Sequence, residues 1–203
     1  MRSPLTQFRF EQRPGLGHNQ GPPLERGRSF RKFAWGKARA ELMPKLPLEV
    51  LKRRVVRAKE LGLAYPQYAS ILLGTGRDVV AFLFTSDAIG LRVEREMRLS
   101  GEAVQKLPGI GGDRLLFVPR GINVQAVRAE LSARHGIEIA GAATEPGGQA
   151  GFREGGREIR ALLDPLKLPS DTVVMIGTEP RERDWAEAAR LAKFLPSEAY
   201  FTG

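Results

Sequence analysis

Short apolar runs followed by amphipathic segments recur through the second two thirds of the chain. In the clearest example, residues 172–176 are apolar or β-branched without polar alternation. A strand with one face in water would alternate apolar and polar residues, so this run predicts a strand covered on both faces, as in a parallel sheet. Apolar side chains then recur at helical spacing as far as Leu195, and Pro196 ends the predicted helix. A buried strand that leads into such a helix is typical of an α/β fold.

The same pattern predicts earlier strands and further helices. The strands are at residues 79–84, 115–118 and 137–142, and the helices are at residues 100–107, 123–135 and 157–166. Ser100 and Asn123 are favourable N-cap residues for the first two of these helices. Residues 145–156 are rich in glycine and predict a mobile loop. Residues 92–98 are amphipathic and fit more than one structure, and residues 199–201 fit a short edge strand.

The chain before residue 76 has a different composition. Residues 1–27 are rich in Pro, Gly, Arg and Gln and predict a flexible arm, because they hold too little apolar surface to offset the entropy of ordering. Residues 28–75 predict a basic helical segment, with one helix at residues 47–63 whose apolar side chains share a face. The predicted fold is therefore an open, mainly parallel α/β sheet flanked by helices over residues 76–203, preceded by the basic segment and the arm.

Composition excludes several classes of protein and site. The chain has no Cys, which excludes disulfides and Cys-ligated zinc or iron–sulfur sites and fits a reducing compartment. Its two His residues are too few for a His-rich metal site. No run approaches the roughly 18 apolar residues of a membrane-spanning helix, and the first residues lack the apolar core of a secretory signal. With 42% hydrophobic and 27% charged residues, we expect a globular, cytoplasmic protein.

Positive charge is concentrated in the first third of the chain. The whole chain has 32 Lys and Arg and 23 Asp and Glu, a formal net charge of +9. Residues 1–64 hold 15 of the basic and 5 of the acidic residues, a net charge of +10, so the remaining residues carry −1. A basic segment attached to a nearly neutral body is typical of proteins that bind a polyanion.

This asymmetry favours a nucleic-acid-associated protein that contacts the polyanion backbone through its basic first third. A scaffold that docks on an acidic protein partner, or on an anionic membrane surface, is an alternative interpretation of the same charge. The predicted nucleic-acid contacts are made by Arg28, Arg31, Lys32, Lys52, Arg53, Arg54 and Arg57.

Residues 58–73 also resemble the packing pattern of a helix-turn-helix. Ala58 would let two helices approach, Gly62 would allow the turn, and a second helix at residues 66–73 would present Gln67 and Ser70. The same residues 66–73 fit a strand equally well, and they contain no Arg, Lys or Asn.

Polar residues follow each predicted strand of the α/β domain. Asp87 follows the first strand, Arg120 the second, Glu145 the third and Glu179 the fourth. In parallel α/β sheets, ligands bind outside the carboxyl ends of the strands. Carboxylates can hold Mg²⁺ and an arginine can bind phosphate, so these four residues predict a metal-dependent phosphoester hydrolase as the alternative function, with Asp87 and Glu179 as Mg²⁺ ligands.

Two segments resemble the haloacid-dehalogenase-like phosphatases. They are AFLFTSDAIGL at the first strand and VVMIGTEPRERDWAEAARLAKF at the last. In that family the first strand ends in an Asp-x-Asp motif, and a late strand ends in an acidic Mg²⁺-binding loop. Here Thr85 occupies the position of the nucleophilic Asp, and Asp87 matches the second acid. The resemblance therefore implies a degenerate copy that lacks the phosphoaspartate chemistry.

Overall fold

A computed structural model describes residues 46–93 and 97–202, and the part from Leu48 onward forms a compact unit. The predicted arm, and with it Arg28, Arg31 and Lys32, lies outside the described residues. Strands in the described part are β1 (Ala81–Phe84), β2 (Arg92–Val93), β3 (Met97–Arg98), β4 (Asp113–Val118), β5 (Gly141–Thr144), β6 (Val173–Gly177) and β7 (Lys193–Pro196). Its α-helices are α1 (Leu48–Glu60), α2 (Tyr65–Thr75), α3 (Gly101–Lys106), α4 (Val124–His135), α5 (Phe152–Leu163), α6 (Pro180–Ala189) and α7 (Ser197–Phe201).

Five strands form a parallel sheet in the order β5-β4-β1-β6-β7, which confirms the predicted open α/β architecture. From the central strand β1 the chain winds outward through β4 and β5, then returns to the other side of β1 through β6 and β7. This order is that of a doubly wound sheet, in which the reversal beside the first strand is a usual position for a ligand. Strands β2 and β3 form a separate antiparallel pair directly after β1.

The sheet is buried on both faces, as the apolar runs predicted. Phe82 and Phe84 of β1 belong to one core cluster, whereas Ala81 and Leu83 belong to the other. This alternation follows from the two-residue period of a strand. Helices α5 and α6 cover one face, and α1, α2, α3, α4 and α7 contribute buried residues to the other. In the described part of the chain, no helix is long and apolar enough to cross a membrane.

Helices α1 and α2 pack into the same core as the sheet. Ala58 of α1 and Ile71 of α2 are buried, and residues 66–73 are helical, not extended. Asp78, just before β1, accepts a hydrogen bond from Arg57 Nε at 2.8 Å and one from the Tyr68 hydroxyl at 2.9 Å. Burial, reinforced by the bond to Asp78, raises the pKa of Tyr68 to about 12. These contacts attach the basic helix to the α/β domain.

The predictions for the last part of the chain are wrong for two elements. Helix α6 ends at Ala189 and does not continue to Leu195, because Arg190 adopts a left-handed φ of 58° that turns the chain. The next residues return to the sheet, where the Ala192 N–H donates to Val173 O at 2.9 Å, and Lys193–Pro196 pairs with β6 as β7. Residues 199–201, predicted as an edge strand, lie in helix α7.

The third strand and the glycine-rich segment also differ from the prediction. Strand β5 begins at Gly141 instead of at residue 137. Helix α5 begins at Phe152, so only residues 145–151 form the loop. Gly155 and Gly156 lie inside α5 because the helix packs directly against α6: a Cβ at Gly155 would overlap the Trp185 ring. These glycines serve close helix contact and not loop mobility.

Candidate functional site

A cleft of about 420 Å³ opens at the carboxyl edge of the sheet. It lies where the segments after β1, β4 and β5 meet strand β2 and the start of α6, next to the reversal in strand order. Its polar lining side chains are Ser86, Asp87, Arg92, Arg120, Glu145 and Arg181.

Arg120 is the cleft arginine without an acidic partner. It is exposed and makes no ion pair or hydrogen bond with the described residues. Its guanidinium lies against the backbone of the loop at Gly147, where an added Cβ would be 3.1 Å from Arg120 Nη2. The guanidinium is thus placed by packing and keeps its donors available, which is the arrangement that a bound carboxylate or phosphate requires.

Arg92 and Arg181 already have carboxylate partners. Arg92 Nη1 lies 2.9 Å from Asp87 Oδ1. Arg181 Nε lies 2.6 Å from Glu179 Oε2, but the contact lacks hydrogen-bond geometry, so this buried nitrogen has no acceptor in the described part of the chain. Arg181 Nη1 also donates to Gly148 O at 3.2 Å, which joins α6 to the loop after β5.

Glu145 is held on the cleft wall by Ser86, whose Oγ donates to Glu145 Oε2 at 3.1 Å. Burial raises the pKa of Glu145, and the nearby Glu182 and Asp87 carboxylates raise it further, while the Ser86 hydrogen bond and Arg181 act in the opposite direction. The Glu145 carboxylate therefore takes up a proton at a higher pH than an exposed glutamate does.

Glu182 occupies the N-terminus of α6. Its side chain is 1% exposed, and its Oε2 accepts backbone N–H bonds from Thr178 at 2.6 Å and from Glu179 at 2.9 Å. Burial raises the pKa of Glu182, whereas these two bonds and one from the Thr85 hydroxyl lower it. Two amides that could bind a ligand's phosphate at this helix start, those of Thr178 and Glu179, are thus already bonded to the protein's own carboxylate.

Three of the four predicted catalytic residues, Asp87, Arg120 and Glu145, line this one cleft. Glu179 is not among its lining residues and contacts Arg181 instead. The sequence analysis missed Arg92 and Arg181 because neither comes directly after a strand of the parallel sheet: Arg92 lies in β2, and Arg181 lies in the first turn of α6. Arginines that flank a strand end by a few residues would have been the signal to use.

Both carboxylates that the sequence predicts as magnesium ligands are paired with arginines. Asp87 is paired with Arg92, and Glu179 is paired with Arg181. Within residues 46–93 and 97–202, no group of three or more His, Asp or Glu side chains is arranged to hold a metal ion. A Mg²⁺ ion would have to compete with these arginines for the carboxylates, so the magnesium site stays a prediction.

The basic surface of α1 is partly neutralised by the protein's own acids. Lys52 Nζ lies 3.1 Å from Glu49, and Arg57 contacts both Glu60 and Asp78. Arg53 and Arg54 make no ion pair with the described residues. These two arginines are the part of the predicted nucleic-acid surface that the structure describes without an acidic partner.

The two polar residues of the helix-turn-helix interpretation are bonded within the molecule. Gln67 Nε2 donates to Ala199 O of α7 at 3.1 Å. Ser70 Oγ accepts a hydrogen bond from Lys193 Nζ of β7. Neither side chain is free to read a base without first giving up its partner.

No family model and no curated protein matches this chain. Among solved structures, an uncharacterized protein from Listeria monocytogenes serotype 4b has a TM-score of 0.43 and 10% sequence identity, covering 58% of this chain and 90% of that one. A likeness at this level carries no argument about either protein's function.

Proposed function

We propose that the cleft at the carboxyl edge of the sheet binds a small phosphorylated ligand. The observation that carries the proposal is Arg120, a guanidinium positioned against Gly147 without an acidic partner among the described residues. Arg92 and Arg181 line the same cleft, and each is already paired with a carboxylate, so Arg120 is the lining arginine whose donors remain available among the described residues. A guanidinium with available donors in a concave site suits an anion such as phosphate.

The proposal is for binding and not for phosphoester hydrolysis. Thr85, which stands where the resembling phosphatases have their nucleophilic Asp, is fully buried and bonds to Glu182. Asp87 and Glu179 are paired with arginines, which a metal ion would have to displace before it could activate water there. The chain therefore presents the phosphate-recognition half of such a site without a nucleophile.

Calorimetric titration of the full chain with inorganic phosphate tests this proposal. We expect binding that the Arg120→Ala substitution weakens at least about tenfold, because a hydrogen-bonded charge pair contributes roughly 1.5–3 kcal/mol. Arg134→Ala is the matched control, since Arg134 is an exposed arginine of α4 that pairs with Glu130. Phosphate that does not bind, or that binds the Arg120→Ala variant with unchanged affinity, overturns the proposal.

A second candidate function is binding of a nucleic-acid backbone by the basic first third of the chain. The observation that favours it is the pair Arg53 and Arg54 on α1, which lack acidic partners in the described part, next to a segment that carries most of the positive charge. Because Gln67 and Ser70 are bonded internally, we propose contacts to phosphates and not to bases.

Fluorescence anisotropy with labelled DNA and RNA tests this second candidate. At about 50 mM salt we expect binding that weakens steeply as salt is added, with a slope that falls by roughly one for each phosphate contact removed. The double substitution Arg53→Ala, Arg54→Ala should lower the slope by about two. Arg153→Ala, Arg157→Ala in α5 removes the same charge elsewhere and should leave it unchanged. Absence of binding at low salt removes this candidate.

A further inference from the structure

We infer that the ligand of the cleft is a phosphate monoester of an aliphatic alcohol and not a nucleotide. This inference rests on the proposed binding of a phosphorylated ligand and adds the chemistry of the group attached to the phosphate. The observation that carries it is the set of apolar residues that line the cleft together with the polar ones. The apolar lining residues are Leu91, Val93, Pro119, Ile122 and Pro146.

The apolar residues are joined to the arginines by the chain itself. Arg92 lies between Leu91 and Val93, and Arg120 lies between Pro119 and Ile122 in the segment after β4. A phosphate that binds these arginines therefore places its ester group beside aliphatic surface. Val93 is 37% exposed, which leaves apolar area for a ligand to cover. Covering such area is favourable in proportion to the area removed from water.

The lining lacks the groups that select a nucleobase. No aromatic side chain is among the described residues that line the cleft. Stacking on aromatic rings is the usual way in which proteins hold a base, and the arginines that could stack are those that the phosphate needs.

A ligand series that varies only the ester group tests the inference. We would titrate the full chain with inorganic phosphate, methyl, butyl and hexyl phosphate, and adenosine monophosphate. We expect affinity to rise about three- to fourfold for each methylene that becomes buried. We expect adenosine monophosphate to bind no more tightly than methyl phosphate.

Two valine variants make the test specific to the cleft. Val93→Thr replaces a methyl group by a hydroxyl at nearly constant shape, and it should reduce the ratio of hexyl phosphate affinity to inorganic phosphate affinity. Val80→Thr is the matched control, since Val80 is 41% exposed and lies outside the cleft lining, and it should keep the ratio of the unmodified protein.

The outcomes separate this inference from the proposal that supports it. If no phosphate compound binds, the proposed function fails and the inference fails with it. If all members of the series bind equally, if adenosine monophosphate binds more tightly than hexyl phosphate, or if Val93→Thr keeps the full ratio, only the inference fails. A chain-length dependence that Val93→Thr lowers supports both.

Discussion

The molecule has two arginine-rich surfaces in its described part, and they are built differently. On α1, Lys52, Arg53 and Lys59 are exposed, and Lys52 and Arg57 are paired with nearby acids. In the cleft, Arg120 has no acidic partner and is positioned by the backbone at Gly147. Each surface thus pairs two of its cations with acids, Lys52 and Arg57 on α1 and Arg92 and Arg181 in the cleft. The difference is that the remaining arginine of the cleft lies in a concave site, whereas the remaining cations of α1 lie on the surface of a helix.

The difference shows what net charge can and cannot indicate. Exposed ion pairs and isolated surface cations contribute little individually and are screened by salt. A guanidinium that is held in a concave site loses less conformational entropy when it binds an anion. We therefore expect the α1 surface to give weak, salt-sensitive binding of long polyanions and the cleft to give specific binding of small ones.

The largest expected effect concerns the support of the cleft. Trp185 of α6 is 1% exposed, packs against Gly155, and donates its Nε1–H to Ala150 O at 3.2 Å in the loop beside Arg120. Trp185→Ala should lower the free energy of unfolding by about 3–5 kcal/mol, because it leaves a cavity between α5 and α6. Urea denaturation followed by circular dichroism measures this loss. Trp185→Phe keeps most of the volume and should lose less; equal losses would contradict the cavity explanation.

A smaller effect is expected where α1 joins the α/β domain. Asp78→Asn removes the charge that pairs with Arg57 and weakens the hydrogen bond from Tyr68, so stability should fall by about 1 kcal/mol. The pKa of Tyr68 should also fall from about 12 toward its ordinary value, which a tyrosinate absorbance titration detects. Glu49→Gln is the control, because its pair with Lys52 is fully on the surface. Phosphate affinity should stay unchanged; a decrease would show that the two regions are coupled.

Gly147→Ala sharpens the comparison at the level of one methyl group. The added Cβ would lie 3.1 Å from Arg120 Nη2, so the guanidinium must shift by a few tenths of an ångström. We expect phosphate affinity to fall about threefold with little loss of stability, because a flexible side chain can move at small cost. Gly151→Ala in the same loop meets no atom within 4 Å and should bind phosphate normally. Equal affinities for both variants would mean that Gly147 does not position Arg120.

The smallest effect is a pH dependence of stability from Glu145. Its pKa is raised in the folded protein, so the protonated group contributes stability below its unfolded pKa of about 4.5, and that contribution is lost as pH rises through the folded pKa. The Glu145→Gln variant should therefore gain stability relative to the unmodified protein as the pH rises above about 4.5. We expect roughly a few tenths of a kcal/mol, because solvent screens a half-buried group. Denaturation curves of both proteins at each pH measure this difference. A variant that loses stability relative to the unmodified protein as pH rises would contradict the raised pKa.

Local signals predicted much of the fold, and long-range contacts account for what they missed. Asn123 caps α4 with its side chain, and Gly136 ends that helix in a left-handed conformation, as the sequence pattern indicated. Strand β7 was missed because residues 191–195 have apolar positions that fit a helix as well as a strand. The choice between helix and strand is decided by hydrogen bonding to β6, which cannot be predicted from the local sequence.

The candidate site was also predicted only in part, because some of its contacts join residues that are far apart in the sequence. The rule that ligands bind at strand ends located Asp87, Arg120 and Glu145, which share one cleft. It could not show that Arg92 would pair with Asp87, because that contact depends on how the β2–β3 pair folds back over the strand ends. Nor could it show that Gly147 would lie against Arg120, since this needs the position of the loop after β5.

The carboxylate of Glu182 has a consequence for how this protein could change its ligand. Because that internal anion accepts from the Thr178 and Glu179 amides before α6, the proposed recognition in the cleft depends on side chains that single substitutions can replace. Every sequence that adopts a given fold supplies the same backbone N–H donors. The side chains of Arg120 and Val93, in contrast, depend on the sequence of this chain. Selectivity can therefore change here without rebuilding the sheet, and shortening Glu182 would free the Thr178 and Glu179 amides as a second position for an anion.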